Sequence, residues 1–179
     1  EGELSSMALV TPTTKAILLN SPSNPCGSVL NEKSLRVVAD IARRHNLLVI
    51  SDEVYADMVY GGKKYCSAAS LPELKERLIV LHGFSKYFAM TGWRVGYTVT
   101  HPDLVKKLSQ ITGQATGNIC SVSQKAAVAA LTGPYDCVES MRQAFQKRRD
   151  MTWKEIASWS NVVCPKPEGA FYLFADISA

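Results

Sequence analysis

The sequence lacks the patterns that would place it in several large classes of protein. Its five cysteines, among 179 residues, include no C-x-x-C pair and no regular spacing, which argues against a disulfide-stapled secreted domain. No apolar run reaches the roughly 18 residues that a membrane helix needs. Glu1-Gly2-Glu3 is acidic where a secretory signal would be basic, so we expect no signal peptide. These absences favour reduced thiols in a cytoplasmic protein.

Signals for metal and nucleic-acid binding are also missing. None of the histidines has the spacing of a metal ligand, so we expect no metal site. The net charge of +4 is mild, and the basic cluster at 147–149 has acidic and apolar neighbours, as a solvated helix face does. Gly61-Gly62 is predicted to be a turn, because the wider glycine pattern of a phosphate-binding loop is absent. We therefore expect neither nucleic acid nor a membrane as a partner.

What the sequence does contain is a succession of short apolar segments, each closed by turn residues. These predict buried strands at 15–20, 47–51 and 78–81, and an alternating segment predicts a further strand at 93–99. Asn31 is a good N-cap for a helix that separates the first two strands. Strands that are apolar on both faces indicate a sheet that is at least partly parallel and covered by helices, so the predicted fold class is α/β.

Helices dominate the second half of the chain. Pro102 and Pro134 stand at positions that open helices, and the segment from Pro134 to about Trp159 is long enough to bridge two domains. Residues 162–163 and 170–174 are predicted to be strands of a second unit. We therefore divide the chain into part of a large domain at 1–133, an interdomain helix at 134–160, and the start of a truncated small domain at 161–179.

The segment from Gly83 to Tyr97 contains the strongest chemical signal. Lys86 follows an apolar strand, and a lysine whose pKa is lowered can form a Schiff base with a carbonyl group. Arg94, further along, offers a fork of donors suited to a phosphate. From spacing alone, a surface lysine beside a structural arginine is an equal alternative.

Two further polar segments follow predicted strands. Asp52 and Tyr55 belong to a Ser-Asp-Glu-Val-Tyr block, and ligands of open α/β sheets gather at the carboxyl ends of strands. The alternative for this acidic pair is a helix N-cap. Asn24-Pro25 belongs to a Pro/Asn/Gly loop in which proline sets a rigid turn, a cis turn being one option. A plain proline-rich loop is the alternative there.

Together these segments resemble class I/II, fold-type I aminotransferases that use pyridoxal 5'-phosphate (PLP), in particular the aspartate-aminotransferase-like group. The matching motifs are Ser-Lys-x-x-x-Met-x-Gly-x-Arg-x-Gly, Asp-Glu-x-Tyr and an Asn-Pro-x-Gly loop, in the family's order. Two positions depart from the family pattern, with Cys26 in place of the usual Thr and Gly83 in place of a hydroxyl residue. The resemblance implies the fold of the PLP-binding large domain, a mostly parallel sheet flanked by helices, with the start of a smaller α+β domain.

The resemblance also implies a role for each site residue. Lys86 would bind PLP as an imine and act as general base and acid, while Asp52 would pair with the protonated pyridine nitrogen. Tyr55 and Asn24 would bond the phenolic oxygen of the cofactor. Phosphate binding would fall to two residues, Ser85 and Arg94.

The implied activity is transfer of an amino group between an L-amino acid and a 2-oxo acid in a homodimer. Aspartate is the implied substrate, with alanine and aromatic amino acids as alternatives. A PLP-dependent lyase and an effector-sensing domain of a transcription regulator remain alternative functions. We expect the upstream phosphate loop, the ring-stacking aromatic residue and the arginine for the substrate carboxylate to lie outside this chain. The chain alone is then expected to be an incomplete enzyme.

Overall fold

A computed structural model describes residues 9–178. Its sheet has four strands in the order β1-β2-β3-β4, of which the first three are parallel and the last is antiparallel. The strands are β1 Ala16–Asn20, β2 Leu48–Asp52, β3 Leu78–Gly83 and β4 Gly96–Thr100. The helices are α1 Glu32–Arg44, α2 Pro102–Ala115, α3 Ser121–Thr132 and α4 Asp136–Ile156. The prediction of an α/β fold with a mostly parallel sheet is confirmed.

Helix α1 packs one face of the sheet and creates the largest apolar core. Asn31 caps its first turn, since the side-chain oxygen accepts a hydrogen bond from the Ser34 amide at 2.9 Å. Acidic and basic residues at its opposite ends complement the helix dipole. Its buried face meets the inward side chains of the three parallel strands, including Leu19, Val49 and Val80.

Strand β4 begins later than the alternating sequence predicts. Thr91–Trp93 forms a 3-10 turn, and Arg94 adopts a left-handed conformation with φ 49°, so the extended backbone starts only at Gly96. The antiparallel direction of β4 follows from this turn, which returns the chain to β3 without a crossover helix.

The strand predicted at 170–174 is wrong. Ala170 has φ 55°, which is incompatible with a strand, and the two aromatic residues that follow it pack against Tyr55 in the loop after β2. Two isolated antiparallel bridges, Val59 with Gly169 and Val163 with Asp176, are the pairings of this region. No helix within residues 9–178 has the length and apolar character needed to cross a membrane.

Candidate active site

The candidate site lies where the three parallel strands end. Asn20 and Asp52 are the last residues of β1 and β2 and are register partners, and Gly83 ends β3. Because parallel strands present their carboxyl ends at one edge of the sheet, the loops that follow them converge there. All of the residues predicted for the site lie in these loops or at these strand ends, with Arg94 at the far end of the loop between β3 and β4.

Asp52 presents a half-buried carboxylate that two donors orient. Its Oδ2 accepts a hydrogen bond from Asn20 Nδ2 at 3.2 Å, and its Oδ1 accepts one from the Val54 amide at 3.2 Å. An ionised carboxylate has further lone pairs beyond these two contacts, so it can still accept a proton-bearing ligand nitrogen. The helix N-cap alternative does not apply, because no helix begins between 53 and 67.

The loop after β1 is a tight turn built on two cis peptide bonds, Ser21–Pro22 and Asn24–Pro25. The rigid turn predicted from its prolines is therefore present. The side chain of Asn24 in this loop is exposed, and the backbone amide of Asn24 donates to Asn20 Oδ1 at 2.6 Å. Gly27 ends the turn with φ 66°, and its amide donates to the Ser23 carbonyl at 2.8 Å.

Tyr55 is buried beside two aromatic residues from the far end of the chain. Its hydroxyl is hydrogen-bonded to that of Tyr172, and its ring meets Phe171 edge-on with 5.3 Å between centroids. Burial, and then the hydrogen bond with Tyr172, raise the pKa of Tyr55 above its ordinary value. The phenol is therefore a neutral hydrogen-bond donor at physiological pH.

Lys86 is half-buried in the turn after β3 and lies next to these rings. Its Nζ is 5.8 Å from the Tyr55 ring centroid and 5.5 Å from that of Phe171, distances at which an ammonium group is attracted to a ring face. The buried rings of Phe84 and Tyr87 anchor the turn on either side. Lys86 is therefore not a fully exposed surface lysine.

Ser85 and Arg94 lie in the loop between β3 and β4, which also carries Lys86. Ser85 is half-buried in the same turn as Lys86, whereas the Arg94 side chain is exposed. Its guanidinium Nη1 donates to the Thr91 carbonyl of its own loop at 2.9 Å. A structural hydrogen bond of this kind leaves the other guanidinium donors accessible to an anion. Within residues 9–178, no His, Cys, Asp and Glu side chains form a group that could hold a metal ion.

Three residues of the site were not predicted from the sequence as functional. Phe171 and Tyr172 were assigned to a strand of a second unit, and Asn20 was assigned to the end of the first predicted strand. Tyr172 is 117 positions from its partner Tyr55, a separation at which no local pattern reports contact. For Asn20, the signal was its position as the polar last residue of an apolar strand, level with Asp52.

Comparison with known proteins gives a consistent result. A family model described as aminotransferase class I and II matches residues 3–179. An aspartate aminotransferase from Geobacillus stearothermophilus is 42% identical over 166 residues, which are 92% of this chain and 42% of that relative. An asparagine–oxo-acid transaminase from Streptococcus mutans is 40% identical over 168 residues, covering 93% of this chain and 43% of the relative.

Solved structures agree with these sequence matches. The structure of an aromatic aminotransferase from Pyrococcus horikoshii superposes with a TM-score of 0.93 at 36% identity. The superposition covers 98% of this chain and 48% of that one. The chain thus spans less than half the length of these relatives.

Proposed function

This chain belongs to the class I and II aminotransferase family, and we propose that the complete protein transfers an amino group between an L-amino acid and a 2-oxo acid with PLP as cofactor. The single observation that supports this most is the position of Lys86. Its Nζ lies against the Tyr55 and Phe171 rings. Lys86 itself is in the loop after β3, and β3 pairs with β2, the strand that ends at Asp52. An amine, a phenol and a carboxylate at one sheet edge are the groups that this chemistry needs.

The chemistry of these side chains fits PLP group by group. We propose that Asp52 holds the ring nitrogen, Tyr55 and Asn24 bond the phenolic oxygen, and Ser85 and Arg94 bind the phosphate. Bound PLP supplies an electron sink for the carbanion that forms at the substrate Cα. Lys86 would hold the cofactor through its Nζ and, once released, would accept and return the substrate Cα proton at that atom. The aromatic wall of Tyr55 and Phe171 limits where that Nζ can move.

Aspartate is the amino acid that we propose as substrate. The relative from Geobacillus stearothermophilus carries the name aspartate aminotransferase. The names of the other two relatives refer to asparagine and to aromatic amino acids, so these compounds are the comparisons that an assay needs. Alanine is a further comparison, because it lacks the side-chain carboxylate that would distinguish aspartate.

We also propose that the complete protein is a cytoplasmic homodimer in which α4 joins a large and a small domain. Apolar side chains on α2 and α3 are left uncovered in this part of the protein, and either the rest of the complete protein or a partner subunit would cover them. Ile111, Val122 and Val128 are 65%, 63% and 58% exposed, more than apolar residues of a covered helix would be. Sedimentation of the complete protein distinguishes a dimer from a monomer directly.

An absorbance titration of the complete protein with PLP tests the proposed function. The native protein should develop a band that borohydride abolishes, and Lys86→Ala should not. Lys154→Ala removes an exposed lysine on α4 and should behave like the native protein. Turnover with aspartate, asparagine, an aromatic amino acid and alanine then ranks the substrates. A native-like band or native turnover in Lys86→Ala would contradict the proposal.

A further inference from the structure

Asn20, the last residue of β1, contacts two parts of the candidate site with one side chain. Its Nδ2 donates to Asp52 Oδ2 at 3.2 Å, and its Oδ1 accepts from the Asn24 amide at 2.6 Å. We propose that Asn20 is a positioning residue that fixes the Asp52 carboxylate and the Asn24 loop relative to each other. This inference rests on the proposed function, in which Asp52 and Asn24 bind opposite parts of the same cofactor ring.

The partners leave only one orientation for the Asn20 amide. An ionised carboxylate only accepts hydrogen bonds, so the atom facing Asp52 must be the NH2 group. A backbone amide only donates, so the atom facing Asn24 must be the carbonyl oxygen. A primary amide is the short side chain that provides a donor and an acceptor at a fixed separation. Aspartate at this position would place a second carboxylate against Asp52.

The strands do not need this side chain to stay together. Asn20 and Asp52 are already register partners in the parallel ladder, and the Ser21 amide donates to the Asp52 carbonyl at 3.1 Å. The backbone is thus held on both sides of Asn20. What its side chain adds is the direction of the carboxylate and the attachment of the next loop. That is the contribution expected of a residue acting through its neighbours at a reactive site.

Loss of the Asn20 side-chain amide should disturb the two proposed contacts with the cofactor ring, those of Asp52 and Asn24. Without the Nδ2 donor, Asp52 would keep only the Val54 amide and could rotate. Without the Oδ1 acceptor, the turn that carries Asn24 would lose the bond closing it onto β1. A weaker donor to the phenolic oxygen of PLP disfavours the anionic form of that oxygen. The nitrogen that joins Lys86 to PLP should then keep its proton up to a higher pH.

The test compares Asn20→Ala and Asn20→Asp with the native complete protein. Both variants should raise the pH midpoint of the absorbance change of bound PLP and weaken PLP affinity. They should also lower kcat by about tenfold or more with a smaller change in KM, because misplacement by about 1 Å costs rates of this order. Asn20→Asp preserves side-chain shape, so the test stands even where Asn20→Ala folds poorly.

Asn31→Ala is the matched control. It removes another asparagine whose side chain bonds a backbone amide, at the start of α1. That variant should lose stability while keeping the native pH midpoint and kcat. Folded Asn20 variants with a native midpoint, PLP affinity and kcat would overturn the inference while leaving the proposed function intact. Absence of a Lys86-dependent band in the native protein would instead refute the proposed function, and the role of Asn20 with it.

Discussion

At the scale of single residues, the site depends on side chains whose neighbours come from distant parts of the chain. Lys86 lies against Tyr55 from the loop after β2 and Phe171 from near the end of the chain. Tyr55 in turn is bonded to Tyr172, and its buried phenol stays neutral because its pKa is raised. Within residues 9–178 Lys86 makes no salt bridge, and its Nζ lies near the Tyr55 and Phe171 rings instead.

Arg94 provides a prediction at this scale. Its exposed guanidinium bonds only one carbonyl of its own loop among the described contacts, so its remaining donors can serve a phosphate. Arg94→Ala should weaken PLP affinity by about 1.5 to 3 kcal/mol, the range for hydrogen bonds to charged groups. Arg94→Lys should recover part of this, since it keeps the charge and loses the fork. Equilibrium titration of the complete protein with PLP measures the difference.

The control for Arg94 is Arg148→Ala, which removes an exposed arginine on α4. It should leave PLP affinity unchanged. Equal affinities for Arg94→Ala and the native protein would show that the phosphate is bound by other residues.

At the scale of elements, the segment 167–172 is held against the loop that carries Asn24. The Gly27 carbonyl accepts hydrogen bonds from the amides of Glu168 and Gly169, at 2.8 and 2.9 Å. A Cβ at Gly27 would lie 2.5 Å from Pro167 Cβ, closer than such atoms approach. Glycine is therefore needed at position 27 for two reasons: the positive φ of the backbone and the close approach of Pro167.

Gly27→Ala and Gly62→Ala separate these two requirements. Both positions have positive φ, 66° and 72°, but no atom of the described residues lies within 4 Å of a Cβ at Gly62. Gly62→Ala should cost about 1 kcal/mol of unfolding free energy from backbone strain alone. Gly27→Ala should cost at least about 1 kcal/mol more, the range for overpacking. Urea unfolding of the two variants measures both values, and equal losses would contradict the contact.

Helix α4 holds the same segment from the other side through Arg149. Its Nη1 donates to the Pro167 carbonyl at 2.6 Å, and its guanidinium lies 4.7 Å from the Tyr60 ring centroid. The Tyr60 hydroxyl donates to the Ala170 carbonyl, so one arginine and one tyrosine secure both ends of the turn before Phe171.

Arg149→Ala should therefore lower the unfolding free energy by about 1.5 to 3 kcal/mol, because a charged hydrogen bond is lost. Arg148→Ala, on the exposed side of the same helix, should cost no more than about 1 kcal/mol, the value of its exposed contact with the Phe145 ring. Thermal or urea unfolding checks the pair. A larger loss for Arg148→Ala than for Arg149→Ala would contradict the stabilising role of the contact with Pro167.

At the scale of the whole molecule, buried tyrosines predict an alkaline limit of stability. Burial raises the pKa of Tyr60 from 10.0 to about 12, with the nearby arginines opposing it. Burial also raises the pKa values of Tyr55, Tyr65 and Tyr87. Above pH 10 the unfolded chain releases phenol protons that the folded chain retains. Stability should therefore be fully present below pH 10 and decline as the pH rises toward 12.

The decline has an upper limit of about 1.4 kcal/mol per pH unit for each such tyrosine. Urea unfolding of the complete protein below pH 10 and between pH 10 and 12 measures the slope. Tyr60→Phe should make the slope shallower, and a slope unchanged by this substitution would show that Tyr60 does not hold its proton in the folded state. Tyr135→Phe removes a phenol that is 44% exposed and whose pKa burial also raises, so it should change the slope less than Tyr60→Phe does.

Much of this protein could be predicted from its sequence alone. The strands at 16–20, 48–52 and 78–83 and helix α1 follow from apolar runs and one capping asparagine, because these signals act over a few neighbouring residues. The positions of Asp52, Tyr55 and Lys86 after strands follow from the same reasoning. The roles proposed for them come from the resemblance of their motifs to a family and remain proposals.

Only the tertiary structure decided which distant residues complete the site. Phe171 and Tyr172 have the composition of a strand, yet the left-handed Ala170 turns them onto Tyr55 and Lys86. The bond between Asn20 and Asp52 likewise depends on the parallel pairing of two strands separated by a helix. Local sequence determines backbone preferences, whereas contacts across the chain depend on how the elements pack, and the sequence contains no local signal for them.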